Sequence, residues 1–281
     1  MPASYLLPDQ PCRTVGEYRA AGQGDAVAAA GALGAASLIE LLESSGLRAR
    51  DHGAVSVGAK WAVLTGAGPD AGPRYLVANG TDAEPGSFTD RALIRSNPLG
   101  VIEGVAVAAI AIGARDAFIA IRHSFETEYE ILTTALAEAE VAGWLDRVSI
   151  KCVRTPEEYL VGDERALLEC VEGRAPLPVR RDPGIDGLFV GDGDRTDHAA
   201  PTRSSVTGRL SAPYNPTAVE SLETLVNVAA ITRTAPVLTS SATMAPLKSL
   251  RIASACACSV RSSVAVTARP RSGRRSATPR T

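Results

Sequence analysis

Three short stretches of this 281-residue chain hold the side chains that could do chemistry. The first is residues 75–91, YLVANGTDAEPGSFTDR. An apolar run of strand length ends at Asn79-Gly80, and Asp82 and Glu84 follow before Pro85-Gly86 forces a second turn. In an open parallel sheet, ligands sit outside the carboxyl ends of strands. Asn79, Asp82 and Glu84 therefore fall where a ligand would be, although the same spacing also describes an acidic surface turn. Thr89 or Asp90 is placed to cap a helix beginning near Arg91. The second stretch is residues 47–61, LRARDHGAVSVGAKW, with Gly53 and Gly58 in a loop before a helix through Lys60 and Trp61. Backbone N–H groups and one ammonium in such a loop could hold a phosphate, and an ordinary loop has the same pattern. The third is residues 159–173, YLVGDERALLECVEG. Gly162 precedes a helix whose core face is Ala166, Leu167 and Val171, and Asp163 and Glu164 fall at its first turn. A helix dipole favours carboxylates there, so acidic capping also accounts for the pair.

The elements that must position these residues alternate along the chain. Strands are expected at about 75–79, 117–121 and 148–153. A short helix over 14–21 has Thr14 and Glu17 at capping-box positions, and helices over 25–33 and 36–42 are separated by Gly34. A short helical piece over 92–95 stops at Asn97-Pro98. Residues 99–114 read as a buried helix: they carry Glu103 and fall short of a roughly 20-residue membrane span. A helix over 126–142 shows an apolar stripe at Tyr129, Leu132, Leu136 and Val141. This rhythm predicts the α/β class, with a parallel sheet flanked by helices.

Composition sets the remaining bounds. The apolar share of 45% and charged share of 21% are those of a soluble globular protein. All 31 acidic residues precede Thr224, and the rest of the chain has nine basic residues and no acid. Residues 259–281 show no period and are expected to be disordered. This basic tail lacks the interleaved aromatics of a nucleic-acid surface, so no nucleic-acid partner is expected. Cys12, Cys152, Cys170, Cys256 and Cys258 are an odd, scattered set that makes no disulfide framework. No metal site is expected, since Cys256 and Cys258 have no second pair nearby. The first residues, MPASYLLPDQPCR, lack the basic and apolar regions of a signal peptide, which points to the cytoplasm.

In order along the chain, ARDHGAVSVGAKW (49–61), NGTDAEPGSFTDR (79–91), YLVGDERALLECVEG (159–173) and PTAVESLETLVNVA (216–229) form a set. The set resembles GRGGAGFPTGxKW, NADExEPGTxKDR, YxCGEETALLESLEG and PTxVNNVETLxNVP. Those are motifs of the flavin-carrying, NADH-oxidising F subunit of complex I and of its relatives in NAD-linked formate dehydrogenases and hydrogenases. The resemblance covers residues 14–231. It implies a Rossmann-like domain that binds FMN and NAD, takes a hydride from NADH, and passes electrons to an iron–sulfur partner subunit of a complex peripheral to the inner membrane. Carried over by position, Gly53, Gly58 and Lys60 fall in the FMN loop, and Asn79 and Asp82 match contacts to the ribityl chain and ring. Glu84 matches the carboxylate facing NADH. Tyr159, Gly162, Asp163 and Glu164 match the segment at the flavin and nicotinamide, with Glu84 and Glu164 in the catalytic positions. Thr224 matches a threonine near the FMN phosphate. Departures from the family are Ala49, Asp51 and His52 in place of loop glycines, and Glu220-Ser221 in place of an Asn-Asn pair. Asp51 and Glu220 bring carboxylates toward the expected phosphate position, which leads us to expect weak FMN binding. The family's iron–sulfur cluster ligands have no counterpart here. The domain limits that follow are an arm over 1–13, an FMN/NADH domain over 14–231 with an insertion-like run at 192–214, and a basic low-complexity tail over 232–281. The competing function is a flavin-domain remnant without redox activity, serving interaction or regulation.

Overall fold

A computed structural model describes residues 5–50, 54–66, 72–178, 182–188 and 215–240. The expected loop glycine Gly53, its neighbours Asp51 and His52, the run 192–214 and the tail 259–281 lie outside the described residues. Four strands form one sheet: β1 (Tyr75–Asn79), β2 (Asp116–Arg122), β3 (Ser149–Thr155) and β4 (Thr217–Ser221). Their order is β3-β2-β1-β4 and every pairing is parallel, with Tyr75 opposite Asp116 and Thr217. The three expected strands are present and each is slightly longer than its apolar run. The fourth is an addition to them. It puts the reversal of strand order between β1 and β4, the switch point at which open α/β sheets bind ligands.

Alternation along the strands divides the core in two. Tyr75, Val77, Phe118, Ala120 and Val219 share one face with Leu167 and Leu168 of α8 (Glu164–Val171) and with Leu188. Leu76, Ala78, Ala117, Ile119 and Ile121 are fully buried on the other face, toward α6 (Pro98–Ile112) and α10 (Leu222–Ser240). Asn97 starts α6 by accepting the N–H of Gly100, and Pro98 occupies the first helical position. A Cβ on Gly104 would lie 2.2 Å from the Leu225 carbonyl oxygen, so α6 and α10 meet at backbone distance. Helix α10 continues to Ser240, past the domain limit expected at 231.

Glu103 is fully buried within the expected apolar helix. It accepts from Tyr18 Oη at 3.0 Å, from the Ala26 N–H at 2.7 Å and from Arg233 Nη1 at 2.9 Å. One carboxylate thereby joins α1 (Val15–Ala20), α2 (Ala26–Leu33) and α10. Thr14 and Glu17 form the expected capping box on α1. Helix α3 (Ala35–Ser45) stops at left-handed Gly46. The described part of the arm, residues 5–13, has no regular structure but is tied down: Tyr5 Oη donates to Asn227 Oδ1, and Asn97 Nδ2 donates to the Tyr5 carbonyl. Among the described residues no single helix is long and apolar enough to cross a membrane.

Three local expectations need correction. Gly58 lies inside α4 (Val57–Thr65), not in a loop, because its missing Cβ would strike the Glu43 backbone at 2.5 Å where α3 packs on α4. Thr89 and Asp90 are the first residues of α5 (Thr89–Ser96) and do not cap it. Helix α7 (Glu126–Val141) buries Glu128, Leu132, Ala135 and Ala139, while Val141 of the expected stripe is 91% exposed.

Candidate functional site

A cavity of about 690 Å³ opens at the carboxyl ends of β1 and β4, between the loop after β1 and the turn before α8. Asn79, Asp82, Glu84, Tyr159, Gly162 and Asp163 line it, together with Arg50, Asp90 and Ser221. Six residues chosen from sequence are thus brought together from two motifs about 80 positions apart.

The loop after β1 is built around Asp82. Its carboxylate is buried and accepts from Ser87 Oγ at 2.8 Å, from the N–H groups of Asp90 and Arg91 at 3.1 and 3.2 Å, and from Arg91 Nε at 3.3 Å. Asp82 thus caps α5 from seven residues before the helix. Asp90 returns the contact, accepting the Asp82 N–H at 3.0 Å. Asp82 sits at φ +43°, a conformation that costs a non-glycine residue on the order of 1–3 kcal/mol, and these bonds hold it there. Pro85-Gly86 makes a type II turn, with Gly86 at φ +82° and the Ser87 N–H bonded to the Glu84 carbonyl. Asn79 Oδ1 accepts from the N–H and hydroxyl of Thr81, and its amide nitrogen donates to none of the described residues. Burial and then the neighbouring Asp82 carboxylate push the Asp90 carboxyl up to about 7.

On the opposite wall, a 3₁₀ turn (Tyr159–Gly162) leads into α8. Asp163 caps that helix by accepting from the N–H groups of Arg165 and Ala166, and it pairs with the Arg165 guanidinium. Burial pulls its carboxyl upward, but the bonds from Arg165 and Ala166 together hold it below the usual carboxylate range. The capping role considered from sequence is the one observed. Tyr159 and Leu160 give the cavity mouth an exposed apolar edge.

Ser221 ends β4 and caps α10, its hydroxyl accepting the Thr224 N–H. Thr224 is buried behind it, bonded to the Ser221 hydroxyl and to the Arg50 N–H. The α10 N-terminus and the Arg50 guanidinium stand at this end of the cavity, with the Arg50 charge offset by Glu223 at 3.1 Å.

Lys60, Gly58, Glu164 and Thr224 do not line the cavity. Lys60 lies along β4, at the edge of the described sheet, donating to the Val219 carbonyl at 2.7 Å with Glu164 and Glu220 each at 3.4 Å. Glu220 is fully buried beneath this ammonium and accepts from Trp61 Nε1 at 2.9 Å. It therefore does not bring the expected carboxylate to the cavity, because β4 turns it onto the α4 side. Sequence reading also missed Arg50, Ser87 and Ser221 as lining residues, and saw Asp90 only as a cap. Of these, Asp90 was the easiest to find from sequence, as an acid eight positions after Asp82 in the same motif.

The comparisons with known proteins agree with this geometry. A family profile described as the Nuo51 FMN-binding domain matches residues 42–196. The F subunit of NADH-quinone oxidoreductase from Aquifex aeolicus (strain VF5) is 31% identical over 199 residues, covering 68% of this chain and 41% of the relative. The second F subunit of the same enzyme type in Rhizobium meliloti (strain 1021) is 33% identical over 163 residues, covering 54% and 38%. Among solved structures, an NAD+-reducing NiFe-hydrogenase in the H2-reduced state superposes with TM-score 0.58 at 26% identity, covering 83% of this chain and 34% of that one. The chain thus spans about two fifths of the length of these curated relatives. The resemblance seen in the four motifs is borne out.

Proposed function

This chain belongs to the Nuo51 FMN-binding domain family, and from that membership we propose that it binds FMN in the β1/β4 cavity and oxidises NADH there. The observation that carries the reading is the meeting of two family motifs around one cavity at the switch point of a parallel sheet. The cavity has the size of a small-molecule site, roughly 300–1,000 Å³. Its polar groups suit a flavin mononucleotide from end to end. Arg50, Ser221 and the α10 N-terminus offer donors to a phosphate, which would share Arg50 with Glu223. Asn79 and Asp90 face the middle, where ribityl hydroxyls need acceptors and donors. Tyr159 and Leu160 offer apolar surface for a flat ring.

Bound FMN would supply acceptance of a hydride from NADH and release of the electrons one at a time. The chain's own residues do the rest. Asp82 and Asp163 have their charges offset by Arg91 and Arg165, so the acidic lining repels an anionic ligand less than its residue count implies. Asp90 carries a proton on its carboxyl below about pH 7, which removes a further charge. Glu84 is exposed at the rim and is the expected catalytic carboxylate that faces the cavity. Glu164 sits behind the wall with Lys60 and acts by fixing the start of α8. The electrons pass to an iron–sulfur subunit of a larger assembly, and the chain is cytoplasmic, held at the inner membrane through that complex. The relatives' names support the assembly: one is a subunit of NADH-quinone oxidoreductase and the other an NAD+-reducing hydrogenase.

An absorbance spectrum of the purified chain, before and after added FMN and then anaerobic NADH, tests this. A flavin band that NADH bleaches is expected. A chain that takes up no flavin, or holds flavin that NADH does not bleach, contradicts the reading.

A further inference from the structure

Ala83 is gripped from two sides. Its carbonyl accepts from Arg122 Nη2 at 3.0 Å, and Arg122 is the last residue of β2, so the donor is anchored in the sheet. The same guanidinium has Glu157 Oε2 at 3.9 Å from Nη1, and Glu157 is itself fixed by the N–H and hydroxyl of Ser124 at 2.7 and 3.0 Å. Arg122 Nε is buried with no hydrogen-bond partner among the described residues, so the guanidinium is oriented for the Ala83 bond at the expense of its third donor. On the other side, a Cβ at Gly162 would stand 2.8 Å from the Ala83 methyl, closer than two carbons approach. Gly162 has no left-handed φ to explain it, so space, not backbone conformation, requires glycine there. Arg122 does not line the cavity, while Asp82, Ala83 and Glu84 form one wall and Gly162 and Asp163 the other.

We propose that Arg122 and Gly162 are positioning residues which clamp the Ala83 peptide, and that this clamp sets where the Glu84 carboxylate stands relative to the opposite wall. The consequence for ligand affinity rests on the flavin reading; the clamp itself does not. Asp82 is held in a left-handed conformation immediately before Ala83, so freeing the peptide lets the loop relax toward extended backbone and carries Glu84 away. A preformed wall binds without the cost of ordering it, and this is what the clamp contributes.

The test uses the whole chain, with amide hydrogen exchange read peptide by peptide without ligand and an FMN titration alongside. Arg122→Met should raise exchange over residues 81–87 about tenfold, leave β1 and β2 protected, and weaken FMN about tenfold. Arg122→Lys, which can still reach a carbonyl, should recover part of both, and Glu157→Gln should change neither. Gly162→Ala should loosen the same segment. Adding Ala83→Gly to Gly162→Ala moves the one methyl across the contact and should restore protection, a coupling that only the direct contact predicts. Unchanged exchange over 81–87 in Arg122→Met overturns the proposal, as does a double variant no better than Gly162→Ala alone. Should Arg122→Met fail to fold, the methyl swap decides. Should the unaltered chain bind no FMN, the exchange data still decide the clamp, so the two failures are told apart.

Discussion

Glu103 and the Asp82–Asp90 pair are both carboxylates withdrawn from bulk water, but they are treated differently. Glu103 receives three donors from three helices, one of them a guanidinium, and is fully buried. Burial still raises its carboxyl, opposed first by Arg233. Asp82 and Asp90 each accept the other's backbone N–H, Arg91 bonds to Asp82, and both residues line a cavity. The first arrangement uses a charge to lock helices together. The second keeps two like charges close, at the cost of a raised pKa and a left-handed residue. Strain and like charge tolerated together mark the cavity, not the helical core, as the place of function.

The largest effect should come from breaking the first arrangement. Glu103→Ala strands Arg233, Tyr18 and the start of α2, and should cost about 3–5 kcal/mol in urea unfolding. A loss under about 1 kcal/mol would show that the three donors find other partners. Next, Glu220→Asn takes the buried carboxylate away from Trp61 Nε1 and from Lys60, and should cost about 2–3 kcal/mol. It should not tighten FMN, since Glu220 faces α4; tighter flavin binding would put its carboxylate at the cavity after all.

Asp90→Asn sharpens the comparison by pH. The folded pKa of Asp90 is raised to about 7, so its favourable contribution is complete below the unfolded value near 4 and is lost as pH rises through 7. The asparagine can still accept the Asp82 N–H but does not ionise. At pH 8 the variant should therefore be more stable by on the order of 1–2 kcal/mol, after allowance for solvent at the cavity wall, and the gain should vanish near pH 4. A gain independent of pH would remove Asp90 ionisation from the account. The smallest effect belongs to Val141, which lies outside both clusters: Val141→Ser should change stability by less than about 0.5 kcal/mol.

Much of this was legible in sequence because it is local. The runs at β1, β2 and β3 are apolar, α6 is flanked by Asn97-Pro98 and Gly113, and Thr14–Glu17 is a complete capping box. Strand β4 was not legible: TAVES carries a glutamate that no strand pattern would bury, and Trp61 and Lys60, some 160 residues earlier, are among the partners that allow its burial. The face of α7 was misjudged because alanines and a glutamate paired to Arg95 fill the buried positions, where a larger apolar stripe looked more persuasive. The site was half legible. Motifs identified its acidic residues, but their division into cavity-facing Glu84, helix-capping Asp82 and Asp163, and inward-turned Glu164 and Glu220 depends on contacts that the motifs do not show.

The central claim is that FMN occupies the β1/β4 cavity with its phosphate at Arg50. Titrating FMN into the whole chain and into Arg50→Ala, followed by flavin fluorescence, tests it directly. One saturable site is expected, weakened at least about tenfold by Arg50→Ala, as befits loss of a charge-assisted contact. No saturable binding, or binding indifferent to Arg50→Ala, would contradict it.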